Sequence, residues 1–222
     1  MPFSGCAPSA FHVRARYRTS LLAMLCMACV VCAFAPPCVA APLDAEKALS
    51  SARKERRLEA VERLRLGRAR VSEKSLKTAF QRESDPLLKV RVLQAMAAAE
   101  GPGLTAELAA ALGREPDPMV RQAAAQELGK YAAQPGAVQA LAAALAADKN
   151  PSVRYACALS LAHADTPQAV SALALAAEDS DPKLRRSTAF SLKRHKSAKA
   201  RQVLKKLEKD ADSSVRDTAG AR

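Results

Sequence analysis

From Asp85 onward the apolar positions fall into a helical rhythm that restarts every 31 to 33 residues. Five stretches mark the restarts: Asp85-Pro86-Leu87-Leu88-Lys89, Asp117-Pro118-Met119-Val120-Arg121, Asn150-Pro151-Ser152-Val153-Arg154, Asp181-Pro182-Lys183-Leu184-Arg185 and Asp212-Ser213-Ser214-Val215-Arg216. In the copies at 117, 150 and 181, counted from the Asp or Asn, an apolar residue comes third, small ones seventh and eighth, and a large one eleventh, which is the spacing of one face of a helix. Val120, Ala124, Ala125 and Leu128 fill these slots in one copy; Val153, Cys157, Ala158 and Leu161 fill them in the next, and Leu184, Thr188, Ala189 and Leu192 in the one after. Asp or Asn is a preferred N-cap because its side-chain oxygen accepts from an otherwise unpaired helix N–H. Proline suits the first helical position, where its missing N–H costs nothing.

A shorter apolar pattern follows each stripe: Leu104, Leu108 and Leu112, then Val138, Leu141 and Leu145, then Val170, Leu173 and Ala177. Turn residues separate the two patterns at Gly101-Pro102-Gly103, Gln134-Pro135-Gly136 and Asp165-Thr166-Pro167. Each unit therefore reads as two short helices. One such hairpin cannot bury both apolar faces, so neighbours must stack. The expectation is an all-α chain, an α-α superhelix of about five hairpins. Units start near 53, 85, 117, 150 and 181, and a terminal half-unit starts at 212. The copy at 53 is degenerate, but Arg57, Ala60, Val61 and Leu64 keep its register. No segment alternates as a strand would.

The first forty residues break the rhythm. Arg14, Arg16 and Arg18 precede an apolar run from Leu21 to Ala35, and Cys38-Val39-Ala40 places small residues where a processing enzyme would cut. These are the parts of a secretory signal peptide, so residues 1–40 read as a leader, 43–222 as the repeat domain, and the product as exported, periplasmic or secreted. The apolar run is shorter than the ~20 residues needed to span a membrane, and no longer run follows it. Five of the six cysteines lie in this leader, leaving Cys157 alone in the remainder with no intramolecular disulfide partner.

The Asp-Pro-x-Val-Arg-x-x-Ala-Ala-x-x-Leu pattern at 117–128, echoed at 150–161 and 181–192, resembles the short HEAT-like repeat of the phycobilisome lyase type. The resemblance covers residues 53–222 and implies a HEAT-like solenoid. Its functional implications are broad, because such repeats serve scaffolds, lyase subunits and nucleic-acid enzymes alike. The HEAT-like deoxyhypusine hydroxylases carry His-Glu pairs that ligate iron. Here His163 and His195 are followed by Ala164 and Lys196, so the resemblance does not extend to that metal site. Both histidines fall near helix C-termini, where a cation or polar side chain meets the helix dipole favourably.

Other chemistry is sparse. The ladder Lys89, Arg121, Arg154, Arg185 and Arg216 recurs four residues after every cap and reads as structural, each base pairing with the cap or loop of a neighbouring unit. Cys157 occupies a small-residue core slot. There is no nucleophile elbow, no glycine-rich phosphate loop, and no catalytic, metal or cofactor constellation.

Charge is the feature that rises above this background. The chain carries a net charge of +13, distributed as +3 over 1–43, +6 over 44–91, −4 over 92–180 and +8 over 181–222. Arg186, Lys193, Arg194, Lys196 and Lys199 are the candidate anion- or partner-binding residues. Gln122 and Tyr155, together with Arg186, are candidates for a concave binding face. The leading expectation is an exported, non-catalytic scaffold that binds another protein. One alternative is binding of a polyanion or an anionic lipid surface through the basic C-terminal repeats. Nucleic acid is disfavoured, because the chain has no Trp and only 4% aromatic residues for base stacking. A second alternative, drawn from the lyase resemblance, is an accessory subunit that handles a tetrapyrrole.

Overall fold

The computed structural model describes residues 44–99 and 101–220; the leader read over 1–40 lies outside them. Among the described residues there is no strand, and no helix is long and apolar enough to cross a membrane.

Among the described residues twelve α-helices alternate between two series. The first series comprises α2 (Lys54–Arg65), α4 (Pro86–Ala99), α6 (Pro118–Leu128), α8 (Pro151–Leu161), α10 (Pro182–Leu192) and α12 (Ser213–Gly220). The second comprises α1 (Ala45–Leu49), α3 (Glu73–Arg82), α5 (Pro102–Arg114), α7 (Pro135–Ala147), α9 (Pro167–Ala176) and α11 (Ala198–Leu207). Helices of each series pack on the next of the same series, which makes a solenoid with its core between the two layers.

The helices start where capping side chains allow. Asp85, Asp117, Asn150, Asp181 and Asp212 each accept a backbone N–H of the first turn, at 2.8 to 3.0 Å. Ser72, Thr166 and Ser197 do the same for second-series helices. The degenerate first copy has Arg53 in the cap position, with no side-chain bond to the helix. Its helix ends at Gly67, whose φ of +67° permits the Arg68 N–H to reach the Arg63 carbonyl at 2.8 Å.

The slots read from the sequence are the core. Leu88, Val120, Val153, Leu184 and Val215 are buried, as are Met96, Leu128, Leu161 and Leu192 and the second-series stripes. Each fully buried leucine contributes ~1.5–3 kcal/mol relative to exposure.

One point of phasing differs from the sequence reading. A central second-series helix packs mainly on the first-series helix that follows it: α5 on α6 and α7 on α8, rather than α5 on α4 or α7 on α6. From α1 to α10 the described helices thus group as pairs, whereas α11 packs on α10 and α12 alike. Helix α12 packs on α10 and α11, with Val215 and Ala219 buried.

Candidate functional site

The basic ladder occupies the seams between units. Arg121 of α6 sets Nε and Nη2 against the two carboxylate oxygens of Asp148, at 2.8 and 2.9 Å, and Nη1 donates to the carbonyls of Glu115 and Pro116, both at 2.9 Å. Arg185 repeats the arrangement with Asp210, at 2.8 Å twice, and with the carbonyls of Asp179 and Ser180. Arg57 does so with Glu83 and the carbonyls of Ser51 and Ala52. One guanidinium thereby ties down its own entry loop and the entry loop of the next unit. The fork matches a carboxylate in a way that a point charge does not. Lys89 keeps only the carboxylate, Glu115, at 2.8 Å.

Two positions depart from the pattern. Arg154 donates through Nη1 to the Asp148 carbonyl at 3.1 Å, and its Nε is buried without a partner. Tyr155 beside it donates its hydroxyl to Asp181 of the next unit. Arg216 holds the carbonyls of Asp210 and Ala211, both at 2.8 Å.

Electrostatics follow this geometry. The hydrogen bond from Arg121 holds the Asp148 carboxyl below its usual range against the opposing effect of burial, and Arg185 does the same to Asp210. At Glu83 burial pushes upward, but Arg57 and the N–H groups of Asp85 and Ser84 outweigh it, and the net shift is downward. The bond to Asp181 raises the Tyr155 hydroxyl. Burial pushes the Cys157 thiol up to about 12, which leaves it without thiolate character at neutral pH.

The sequence reading missed the acidic half of the ladder. Glu83, Glu115, Asp148, Asp179 and Asp210 each stand two residues before a cap. Their spacing is as regular as that of the bases, but they lie in the loop before each helix, outside the apolar stripe. His195 stands just past a helix C-terminus, as expected. It is buried three residues beyond α10, bonded to the backbone of Leu161, with Nε2 unpartnered. Burial lowers its pKa, so a neutral ring is favoured over a cation at a helix end. His163 is exposed.

The candidate binding residues do not form one cluster. Arg186 is exposed on α10, and Lys193 lies seven residues on along the same side, its Nζ 3.3 Å from the Thr218 carbonyl of α12. Arg194 and Lys196 are exposed in the α10–α11 turn. Lys199 belongs to α11 and donates to Ser171 of α9 at 3.0 Å, in the second series. Gln122 and Tyr155 are half-buried on α6 and α8, in the slot that Arg186 fills on α10. Among the described residues, no three His, Cys, Asp or Glu side chains come together in a way that could hold a metal ion.

Residues 72–162 and 138–221 match the HEAT repeats family, and the chain belongs to it. Among solved structures it is similar to human deoxyhypusine hydroxylase in complex with glycerol, at 25% identity and a TM-score of 0.50, covering 68% of this chain and 60% of that one. It is also similar to two engineered proteins. One is 21% identical with a TM-score of 0.51, over 80% of this chain and 92% of the other; the second is 19% identical with a TM-score of 0.50, over 80% and 56%. The latter two show the fold alone, and this chain spans about 60% of the hydroxylase's length. No curated protein matches it.

Proposed function

We propose that this HEAT-repeat chain is an exported, non-catalytic scaffold whose first-series helices present a binding surface to another protein. One observation carries the reading. Core and ladder slots repeat from unit to unit, whereas the outward slots five and nine residues after each cap do not. They read Val90, Gln122, Tyr155, Arg186 and Gln94, Gln126, Leu159, Phe190. A regular frame whose outward residues vary along the stack is what partner specificity in a solenoid requires. The leader supports export, and residue 41 is the expected mature N-terminus, which terminal sequencing of the envelope or secreted fraction checks.

The test is a photo-crosslinking amino acid at Gln126 on α6, with Ala143 on α7 as the control position. A discrete adduct from Gln126 that is absent from Ala143 supports the scaffold. No adduct from any first-series position ends it. Exposed Arg186, Arg194 and Lys196 favour the polyanion or anionic-lipid alternative, which retention on heparin that falls on charge reversal of these residues would support. The tetrapyrrole reading rests on the lyase-type repeat resemblance, and uptake of a visible chromophore by the purified protein is its test.

A further inference from the structure

Leu159 and Phe190 fill equivalent slots on α8 and α10, which pack against each other, and they remain 43% and 55% exposed. The same slot holds Gln94 on α4 and Gln126 on α6, so this slot becomes apolar at α8 and α10. Beside Leu159, between α6 and α8, lies a groove of about 620 Å³. Its floor is made of small residues, Gly129, Ala132, Ala133 and Ala156, with Leu159 as one wall. The floor stays low because α6 ends close against α8: a Cβ on Gly129 would stand 3.0 Å from Ser160 Oγ and 3.3 Å from Ser160 Cα. On α10 the basic residues flank the apolar one. Arg186 lies one turn before Phe190 and Arg194 follows four residues after it, in the turn just past the helix, both exposed and without an ion pair among the described residues.

We propose that the α6–α8–α10 face receives an extended acidic polypeptide segment. One bulky apolar side chain of that segment enters the groove beside Leu159, a second lies against Phe190, and its carboxylates meet Arg186 and Arg194. The inference rests on the scaffold reading and names the chemistry of its partner. Packed helices lie about 8–10 Å apart, and an extended polyproline-II chain advances ~3.1 Å per residue with three residues per turn, so two anchors three residues apart face the same side at about that spacing. Guanidinium forks suit carboxylates in two-point contact. A second copy of this chain is a poor occupant, since Glu115, Asp148 and Asp210 are held in the ladder and Asp117, Asp181 and Asp212 in caps. A lipid surface would draw equally on Lys199, Lys205 and Lys206 of α11, in the other series, where this groove is not.

The experiment measures fluorescence anisotropy of short labelled peptides titrated with the full chain. One peptide is Glu- and Asp-rich with Leu and Phe three residues apart, and the other is identical but with Ser at both apolar sites. The apolar peptide binds at least about tenfold more tightly, Leu159→Ser and Phe190→Ser each weaken it by about tenfold, and Arg186→Gln with Arg194→Gln weakens both peptides and flattens the salt dependence. All four side chains are exposed, so the thermal midpoint of each variant stays at the wild-type value. Equal binding of the two peptides overturns the proposal. Binding that Leu159→Ser and Phe190→Ser leave unchanged also overturns it. So does retention on phosphatidylglycerol vesicles that depends on Leu159 and Phe190 while the apolar peptide fails to bind. If the Gln126 adduct forms and these variants do not diminish it, this surface is wrong and the scaffold stands; if no first-series adduct forms, the scaffold itself fails.

Discussion

Replacing Arg121 with Ala severs the rung to Asp148 and both carbonyl bonds to its own entry loop. Asp148 has a side chain 7% exposed and Arg121 one 15% exposed, so water replaces the lost partner poorly. Breaking a fully buried pair costs ~3–5 kcal/mol because a charge is stranded. Asp148 still accepts the Asn150 N–H at 2.8 Å, and the seam lies at the surface of the core, which moderates the loss. The expected destabilisation is ~2–3 kcal/mol, in the range for hydrogen bonds to charged groups. Urea unfolding followed by circular dichroism measures it, and a cycle with Asp148→Ala isolates the pair. The expected coupling is ~1–2 kcal/mol. Arg121→Lys should fall between Ala and wild type, since an ammonium keeps the charge and loses the loop carbonyls, as Lys89 does with Glu115. A coupling below ~0.5 kcal/mol, the value of an exposed pair, would refute the account of the ladder as a clamp.

Because Arg121 and Arg185 depress Asp148 and Asp210 in the folded state, their stabilisation is present above the unfolded carboxylate value of ~3.9 and lost as pH falls through the lower folded values; acid titration of stability should show this slope, reduced in Arg121→Ala. The buried His195 also has a folded pKa below its unfolded value. Its contribution is therefore intact above pH ~6.5 and fades as pH falls from there toward the lower folded value, a segment of the stability curve that His195→Phe should flatten. Gly129→Ala should cost ~1–3 kcal/mol, because Ser160 is fixed by its 2.8 Å bond to the Ala125 carbonyl and cannot yield. Gly113→Ala, in α5 with nothing within 4 Å, should stabilise by ~0.5–1 kcal/mol, and urea unfolding measures both substitutions. Cys157 should resist a thiol reagent until α8 opens, so that mass spectrometry of its peptide reports local unfolding; rapid labelling in native buffer would show that the slot is not closed.

The fold was legible in the sequence because its determinants are periodic. Caps at Asp117, Asn150 and Asp181, with apolar residues at fixed offsets, suffice to place helix starts and core faces. The pairing phase was not, since a stripe shows which face is buried and not which neighbour buries it. The basic half of the ladder was visible; the acidic half at Glu115 and Asp148 was equally periodic but lies in the loop before each cap, where hydrophobic patterning gives no signal. Leu159 and Phe190 were hidden for another reason: in helices with apolar residues on several sides, one exposed leucine among buried neighbours leaves no mark on the pattern. His195 lies past the end of α10, where helical periodicity no longer indicates burial.

Every clamp reaches 25 to 27 residues along the chain, from Arg57 to Glu83, Arg121 to Asp148 and Arg185 to Asp210, and none skips a unit. Each joint is thus a local fastening between adjacent tiles, written in the same few letters wherever it occurs. A chain assembled this way can lengthen by duplicating a tile, since the copy brings both a socket for the tile before it and a hook for the one after.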